Sequence, residues 1–399
     1  RSLMFASLAR GVSKISNLGS GKDVETTANV LRELGIKIEM TGDRATVYGD
    51  SFKISQNQLD CGNSGTTVRL LMGLLAGQKI SAEFIGDRSL SSRPMGRVVK
   101  PLEQFGAKFE LSNDCLPAKL SVSLLTGANY RLQIASAQVK SALILAALGA
   151  NGSSIITDPY ETRNHTENLL ISMGANISVK GFDIHVHPLQ TPLRPIEWEV
   201  PADPSSVAFF AAAALAVKDS CVEFKNVLAN TTRTGFLDIL ERAGANYQRR
   251  NLRFIYGEQI CDITVSKSDL RCVSINKSMV PSLVDEIPIL AVLATQMNGR
   301  TTVRGAEELR VKECDRLEAI VKNLRNLGVA IKEFEDGFEL EGPQNIEGGT
   351  VSCYHDHRIA MAFSVASLLT NQKVRLDQPE CASISLPEFY ELLESLKFY

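Results

Sequence analysis

The sequence predicts an α/β protein of two domains, each holding three copies of one structural unit, and three observations predict it. An amphipathic helix, a glycine and a strand recur as one phrase. A second helix, apolar nearly all round, alternates with the first. An extended segment flanked by prolines divides the copies three and three.

The recurring phrase ends as Leu34-Gly35-Ile36, Phe105-Gly106-Ala107, Met173-Gly174-Ala175, Ala243-Gly244-Ala245 and Leu327-Gly328-Val329, with successive glycines 71, 68, 70 and 84 residues apart. Glycine at that point suits a helix that closes in the left-handed conformation. A sixth copy, 386–398, reaches the C-terminus before its glycine. The second helix type is expected at 2–9, 66–76, 136–148, 205–217, 285–297 and 356–369, and a helix apolar on every side must be buried. Short β-rich runs such as Ser81-Ala-Glu-Phe-Ile85 follow these helices. At 399 residues the chain exceeds one ordinary core, and no run has the uniform short period of a solenoid. The best division lies in Trp198-Glu-Val-Pro-Ala-Asp-Pro204, giving domains 1–200 and 201–399.

Composition narrows the function. A net charge of -2 argues against a nucleic-acid partner, which needs a basic surplus. The longest apolar stretches, such as 207–217, are too short to span a bilayer, so no membrane partner is expected. The eight cysteines form no C-x-x-C, and no histidine stands at ligand spacing from a cysteine pair. The expectation is scattered reduced thiols in the cytoplasm, with no metal and no cofactor.

Chemistry gathers at the starts of the buried helices, where unpaired amides and the helix dipole make an anion site. Those starts read Gly62-Asn-Ser-Gly-Thr-Thr-Val-Arg69, Ser136-Ala-Gln-Val-Lys140, Asp203-Pro-Ser-Ser206, Val284-Asp-Glu-Ile-Pro288 and Tyr354-His-Asp-His-Arg358. If the buried helices of each domain point one way, their starts converge on one face, and two such faces opposed would make a cleft for phosphates. Basic residues stand on nearby loops: Arg93 in Asp87-Arg-Ser-Leu-Ser-Ser-Arg-Pro-Met-Gly96, Arg163 in Glu161-Thr-Arg-Asn-His165, and Lys312 and Arg316 in Arg310-Val-Lys-Glu-Cys-Asp-Arg316. Arginine's planar fork suits phosphate and carboxylate.

These segments, with Asp356-His-Arg358, occur in the order found in 5-enolpyruvylshikimate-3-phosphate (EPSP) synthases, and the chain resembles that family over essentially its whole length, more closely its second bacterial class. The resemblance implies the enolpyruvyl transferase fold, two inside-out α/β domains of three βαβαββ-type repeats each, acting as a monomer on phosphoenolpyruvate and shikimate 3-phosphate. Carried over by position, Arg1, Ser136, Ala137, Gln138, Arg163, Asp285 and Lys312 would hold shikimate 3-phosphate. Gly65, Thr66, Arg93, Gln138, Arg316 and Arg358 would hold phosphoenolpyruvate. Asp285 would take the proton of the shikimate hydroxyl and Glu313 would protonate the methylene carbon. Gly65 implies sensitivity to glyphosate, which an alanine methyl there would crowd.

The residue types suit that chemistry on their own terms. Addition to an enol ether needs a base on the incoming hydroxyl and an acid at carbon, hence two carboxyls in different surroundings. Fixed cations stabilise the departing phosphate without a metal. Structural alternatives accompany several of these residues: Asp285 as a helix cap supported by Pro288, Glu313 and Arg316 as a solvated i,i+3 pair, His357 as a structural histidine, and Cys314 as small packing. Three rival functions stand beside this one, the last of them kept open by the start at Arg1. An enolpyruvyl transferase acting on UDP-N-acetylglucosamine usually has a cysteine in the loop equivalent to 87–94, which this chain lacks. An RNA 3′-phosphate cyclase needs a nucleotide loop that is not evident. A relative that binds without catalysis would differ in ligand titration. The family's Lys-Ser pair stands shortly before its first arginine, whereas this sequence begins at Arg1. The expectation is an incomplete start that also lacks a first strand, with weak binding and slow turnover; equal rates after restoring the upstream residues would refute it.

Overall fold

Each of the five glycines that close a surface helix has positive φ: 83° at Gly35, 94° at Gly106, 101° at Gly174, 81° at Gly244 and 78° at Gly328. The residue after each glycine donates its N–H to the carbonyl five residues back, as in Ile36 to Leu31 at 3.0 Å and Val329 to Leu324 at 2.9 Å. That bond satisfies an orphan carbonyl of the helix end and turns the chain into the next strand. In this computed structural model, which describes residues 1–53 and 58–396, the α-helices are α1 (Ser2–Leu8), α2 (Lys22–Glu33), α3 (Gly65–Gly77), α4 (Arg88–Ser91), α5 (Gly96–Gln104), α6 (Ala137–Ala147), α7 (His165–Ser172), α8 (Pro204–Ala216), α9 (Gly235–Arg242), α10 (Ile287–Ala294), α11 (Arg316–Asn326), α12 (His357–Ala366) and α13 (Phe389–Ser395).

The helices expected to be buried are α1, α3, α6, α8, α10 and α12, and all but their ends lie in the core. Four of them open on a side chain that accepts a first-turn N–H: Ser64, Ser136, Asp203 and Asp356. Several ends differ from expectation, among them those of the fifth and sixth buried helices, which close at Ala294 and Ala366 rather than at 297 and 369. The fifth buried helix starts at Ile287, because Val284–Glu286 forms a 3₁₀ turn, and the cap position falls to Glu286 rather than Asp285. The last helix begins at Phe389, beyond Pro387, and Lys397 and Phe398 of its predicted span lie outside the described residues. Gly73 sets the contact of α3 with α6. A Cβ there would stand 2.0 Å from the Ala142 carbonyl oxygen, so only glycine lets the two backbones touch.

Among the described residues the strands form six small sheets, one to each repeat. In the second repeat Gln58–Asp60 runs parallel to Ala82–Ile85, which pairs antiparallel with Cys115–Ser121, itself antiparallel to Lys108–Ser112. Chain order is then strand, buried helix, strand, surface helix and two strands, a βαβαββ unit. The same order holds in the sheets around Ser154–Thr157 and Gly299–Val303. In the first sheet the parallel edge strand comes from far along the chain: Glu197–Glu199 pairs with Gly11–Ser16, matching Ile15 with Trp198. By contacts the chain divides into two compact units, Arg1–Val200 and Pro201–Tyr399. Buried α1, α3 and α6 belong to the first, and α8, α10 and α12 to the second.

Candidate active site

In the first unit the starts of all three buried helices meet. Gln138, in the first turn of α6, donates from Nε2 to Thr66 Oγ1 of α3 at 3.0 Å and accepts from Arg69 Nη1 at 2.7 Å. Arg1, which precedes α1, donates to Thr166 Oγ1 at 3.3 Å and Ser141 Oγ at 3.5 Å, and those two hydroxyls lie 2.7 Å apart. Ser136 caps α6 by accepting from the Val139 N–H at 3.4 Å, and Ala137 is the first residue of that helix. The half-buried Arg93 donates to Asn63 Oδ1 at 2.9 Å and Ser89 Oγ at 3.1 Å. Both partners are neutral, so its charge remains available to an anion beside the α3 start. Gly65 sits between two guanidiniums: a Cβ there would lie 2.7 Å from Arg69 Nη1 and 3.5 Å from Arg93 Nη1. Arg163 is half-buried on the loop that leads into α7, directly after Thr162, whose carbonyl is bound by the Lys140 ammonium.

In the second unit the starts of α8, α10 and α12 meet as well, but there the cations face carboxylates. Arg316 is buried and holds three of them: Asp356 through Nε at 2.7 Å, Asp285 through Nη1 at 3.3 Å and Glu313 through Nη2 at 2.6 Å. Arg358 Nη2 lies 4.0 Å from Asp285 Oδ2, so Asp285 stands between two guanidiniums. Asp356 also caps α12, accepting from the N–H groups of Arg358 and Ile359. The pair of Glu313 and Arg316 has the expected i,i+3 spacing but is solvated only on the Glu313 side, because Arg316 is only 2% exposed. Lys312 is turned to Glu308 Oε1 at 3.2 Å, outside the Arg316 group.

This arrangement tunes the acids. Burial by itself would push the Glu313 carboxyl up, yet Arg316 outweighs it with help from His357 and holds Glu313 below its usual value. Asp356 follows the same balance. Burial and then Arg358 pull the His357 imidazole down to about 4, so it is neutral at pH 7 and suits a structural role. Burial first, then Asp356, pushes the Cys314 thiol well above its ordinary range, which removes it as a nucleophile.

Several residues at these faces escaped the sequence. Arg69 closes the Gly62–Arg69 motif, and a charge on an otherwise apolar helix was the signal that marked it. Ser205, Arg233 and Glu286 form a second group in the later unit: Ser205 Oγ donates to Glu286 Oε1, and Arg233 Nη2 donates to Ser205 Oγ at 2.7 Å and to Asp203 Oδ1 at 2.5 Å. Burial, and then Asp285 beside it, push the Glu286 carboxyl up. Nothing local in Asn230-Thr-Thr-Arg-Thr234 announced Arg233. Among the described residues no group of three or more His, Cys, Asp or Glu side chains is placed to hold a metal, and no helix is long and apolar enough to cross a membrane.

The family model for EPSP synthase (3-phosphoshikimate 1-carboxyvinyltransferase) matches residues 1–393. The chain is similar to two proteins named 3-phosphoshikimate 1-carboxyvinyltransferase. That of Persephonella marina is 45% identical, covering 99% of this chain and 94% of the relative; that of Thermodesulfovibrio yellowstonii is 42% identical, covering 100% and 94%. Among solved structures it is similar to EPSP synthase from Acinetobacter baumannii, with a TM-score of 0.90 and 36% identity over 99% of this chain and 92% of that one.

Proposed function

The chain belongs to the EPSP synthase family, and from that premise we propose that it moves the enolpyruvyl group of phosphoenolpyruvate onto the 5-hydroxyl of shikimate 3-phosphate, releasing phosphate. The observation that carries the assignment of roles is Asp285, a carboxylate fixed between Arg316 and Arg358 at the start of a buried helix.

Arg1, Ser136, Ala137, Gln138, Arg163, Asp285 and Lys312 hold shikimate 3-phosphate. Gly65, Thr66, Arg93, Gln138, Arg316 and Arg358 hold phosphoenolpyruvate. Asp285 accepts the hydroxyl proton as oxygen attacks C2, and Glu313 gives a proton to C3. Elimination then breaks the C2–O bond to phosphate while a C3 proton returns to the Glu313 carboxylate, which restores the double bond, with the arginines stabilising the charge that develops on the leaving phosphate.

Glu313 is suited to its part by the balance already described. Burial pushes its carboxyl up, and Arg316 together with smaller contributions holds it below its usual value. An anionic substrate that engages Arg316 weakens that hold, burial prevails, and Glu313 takes up the proton it must deliver. Fold and thiol state suit a monomeric cytoplasmic enzyme: all eight cysteines are free, as a reducing compartment keeps them.

Product analysis tests the reading. Phosphoenolpyruvate with shikimate 3-phosphate is expected to yield EPSP and phosphate, and UDP-N-acetylglucosamine to yield nothing; the reverse pattern overturns it. Glyphosate sensitivity belongs to the same proposal. A methyl group at position 65 needs space now set by Arg69 Nη1, 2.7 Å away. Gly65→Ala is therefore expected to weaken glyphosate inhibition by about tenfold or more, as a clash in a tight site does. An unchanged inhibition constant would contradict it.

A further inference from the structure

Lys140 lies in the second turn of α6, and only 2% of its side chain is exposed. Its ammonium donates to the Thr162 carbonyl at 2.8 Å and stands 3.0 Å from Asp158 Oδ2 and 2.9 Å from Glu167 Oε1. Both carboxylates are as buried as the lysine. Buried ion pairs are a poor source of stability, because apolar side chains of similar volume usually serve as well or better. What this cluster does is join three pieces of chain: the first turns of α6, the loop 158–163 and the start of α7.

Each piece carries a residue of the first-unit face. Ser136 stands one turn before Lys140 and Gln138 two residues before it. Arg163 directly follows Thr162. Thr166, beside Glu167, accepts from Arg1. Asp158 holds the loop internally by accepting from the Tyr160 N–H at 3.1 Å, the Thr162 N–H at 2.8 Å and Thr162 Oγ1 at 2.7 Å. That loop is therefore a preformed piece, and Lys140 decides where it sits against α6.

We propose that Lys140 is a positioning residue for shikimate 3-phosphate, its buried ammonium fixing the Arg163 loop and the α7 start against Ser136 and Gln138. The inference rests on the assignment of those residues to shikimate 3-phosphate. Lys140 itself touches no substrate, since its three donors are taken by Thr162, Asp158 and Glu167.

The test exploits charge balance. One cation and two carboxylates leave the cluster with one net negative charge. K140M alone would leave two, whereas K140M/E167Q leaves one, on an Asp158 that keeps its hydrogen bonds from Tyr160 and Thr162. The double variant is expected to fold but to melt below the wild type, because the buried Asp158 loses its cation, and to bind shikimate 3-phosphate about 10- to 100-fold more weakly, as small displacements of binding groups do. Its KM for phosphoenolpyruvate is expected to stay near the wild-type value. E167Q, which keeps the links from Lys140 to Asp158 and Thr162, should bind shikimate 3-phosphate nearly as the wild type does. A double variant with wild-type affinity, or an E167Q as weak as the double, overturns the proposal. If K140M/E167Q does not fold, K140Q/E167Q retains an amide donor toward Thr162; weakened binding of shikimate 3-phosphate supports the proposal and wild-type binding overturns it. A wild-type protein that takes no shikimate 3-phosphate removes the functional reading and this inference together. A wild type that binds it alongside an equally tight double variant removes the inference alone.

Discussion

Replacing Asp285 by Asn is expected to lower kcat by about 10²- to 10⁴-fold, the usual contribution of a positioned general base, with little change in KM for either substrate. Asparagine keeps the shape of the side chain, and its amide oxygen can still accept from Arg316 Nη1, which now lies 3.3 Å from Asp285 Oδ1. What it loses is the negative charge between Arg316 and Arg358 and the ability to take a proton from the shikimate hydroxyl. Since the helix cap position belongs to Glu286, the change leaves it in place, and melting should shift little. Steady-state phosphate release with both substrates decides it. A fall smaller than about tenfold would mean that Asp285 is not the base.

The second large effect falls on stability. Arg316→Met is expected to cost about 3–5 kcal/mol at pH 7, the range found when one partner of a buried ion pair is removed. Methionine fills much of the space but leaves Asp356, Glu313 and Asp285 facing one another without their shared cation. The pH dependence has a definite sign. In the wild type the Asp356 and Glu313 carboxyls are held low, so their stabilising part is present above the unfolded value of about 4 and is lost as pH falls through the lower folded values. In the variant, burial acts without Arg316, and the folded values rise above the unfolded one. Ionisation then opposes folding at neutral pH, and the penalty fades as the carboxyls regain protons. The difference in melting temperature between the two proteins should therefore be widest near pH 7 and narrow toward about pH 4. A gap independent of pH would mean that lost packing, not stranded charge, is what the substitution exposes.

Both expectations concern residues whose segments were visible in the sequence and whose partners were not. Val284-Asp-Glu-Ile-Pro288 looked like a capped helix start because aspartate and proline are both favoured there. The structure instead spends those residues on a 3₁₀ turn, which presents Asp285 to Arg316 and Arg358. Arg310-Val-Lys-Glu-Cys-Asp-Arg316 showed an i,i+3 pair, but a surface pair and one of three carboxylates around a buried arginine share that spacing. Lys140 is the one charged residue of α6. Its partners stand 18 and 27 residues further on, where no periodicity could reveal them.

The sequence by itself determined the repeat, the two kinds of helix and the left-handed closures at Gly35, Gly106, Gly174, Gly244 and Gly328. These depend on forces that act within a few residues: the sign of φ at one glycine, and an apolar pattern that demands burial whatever it is buried against. Only the tertiary structure decided that the far strand Glu197–Glu199 completes the first sheet, that Arg316 is shared by three acids and that Lys140 ties a loop to α6. A charge inside a protein needs a partner to offset its lost hydration, and which partner it meets depends on how separate segments pack.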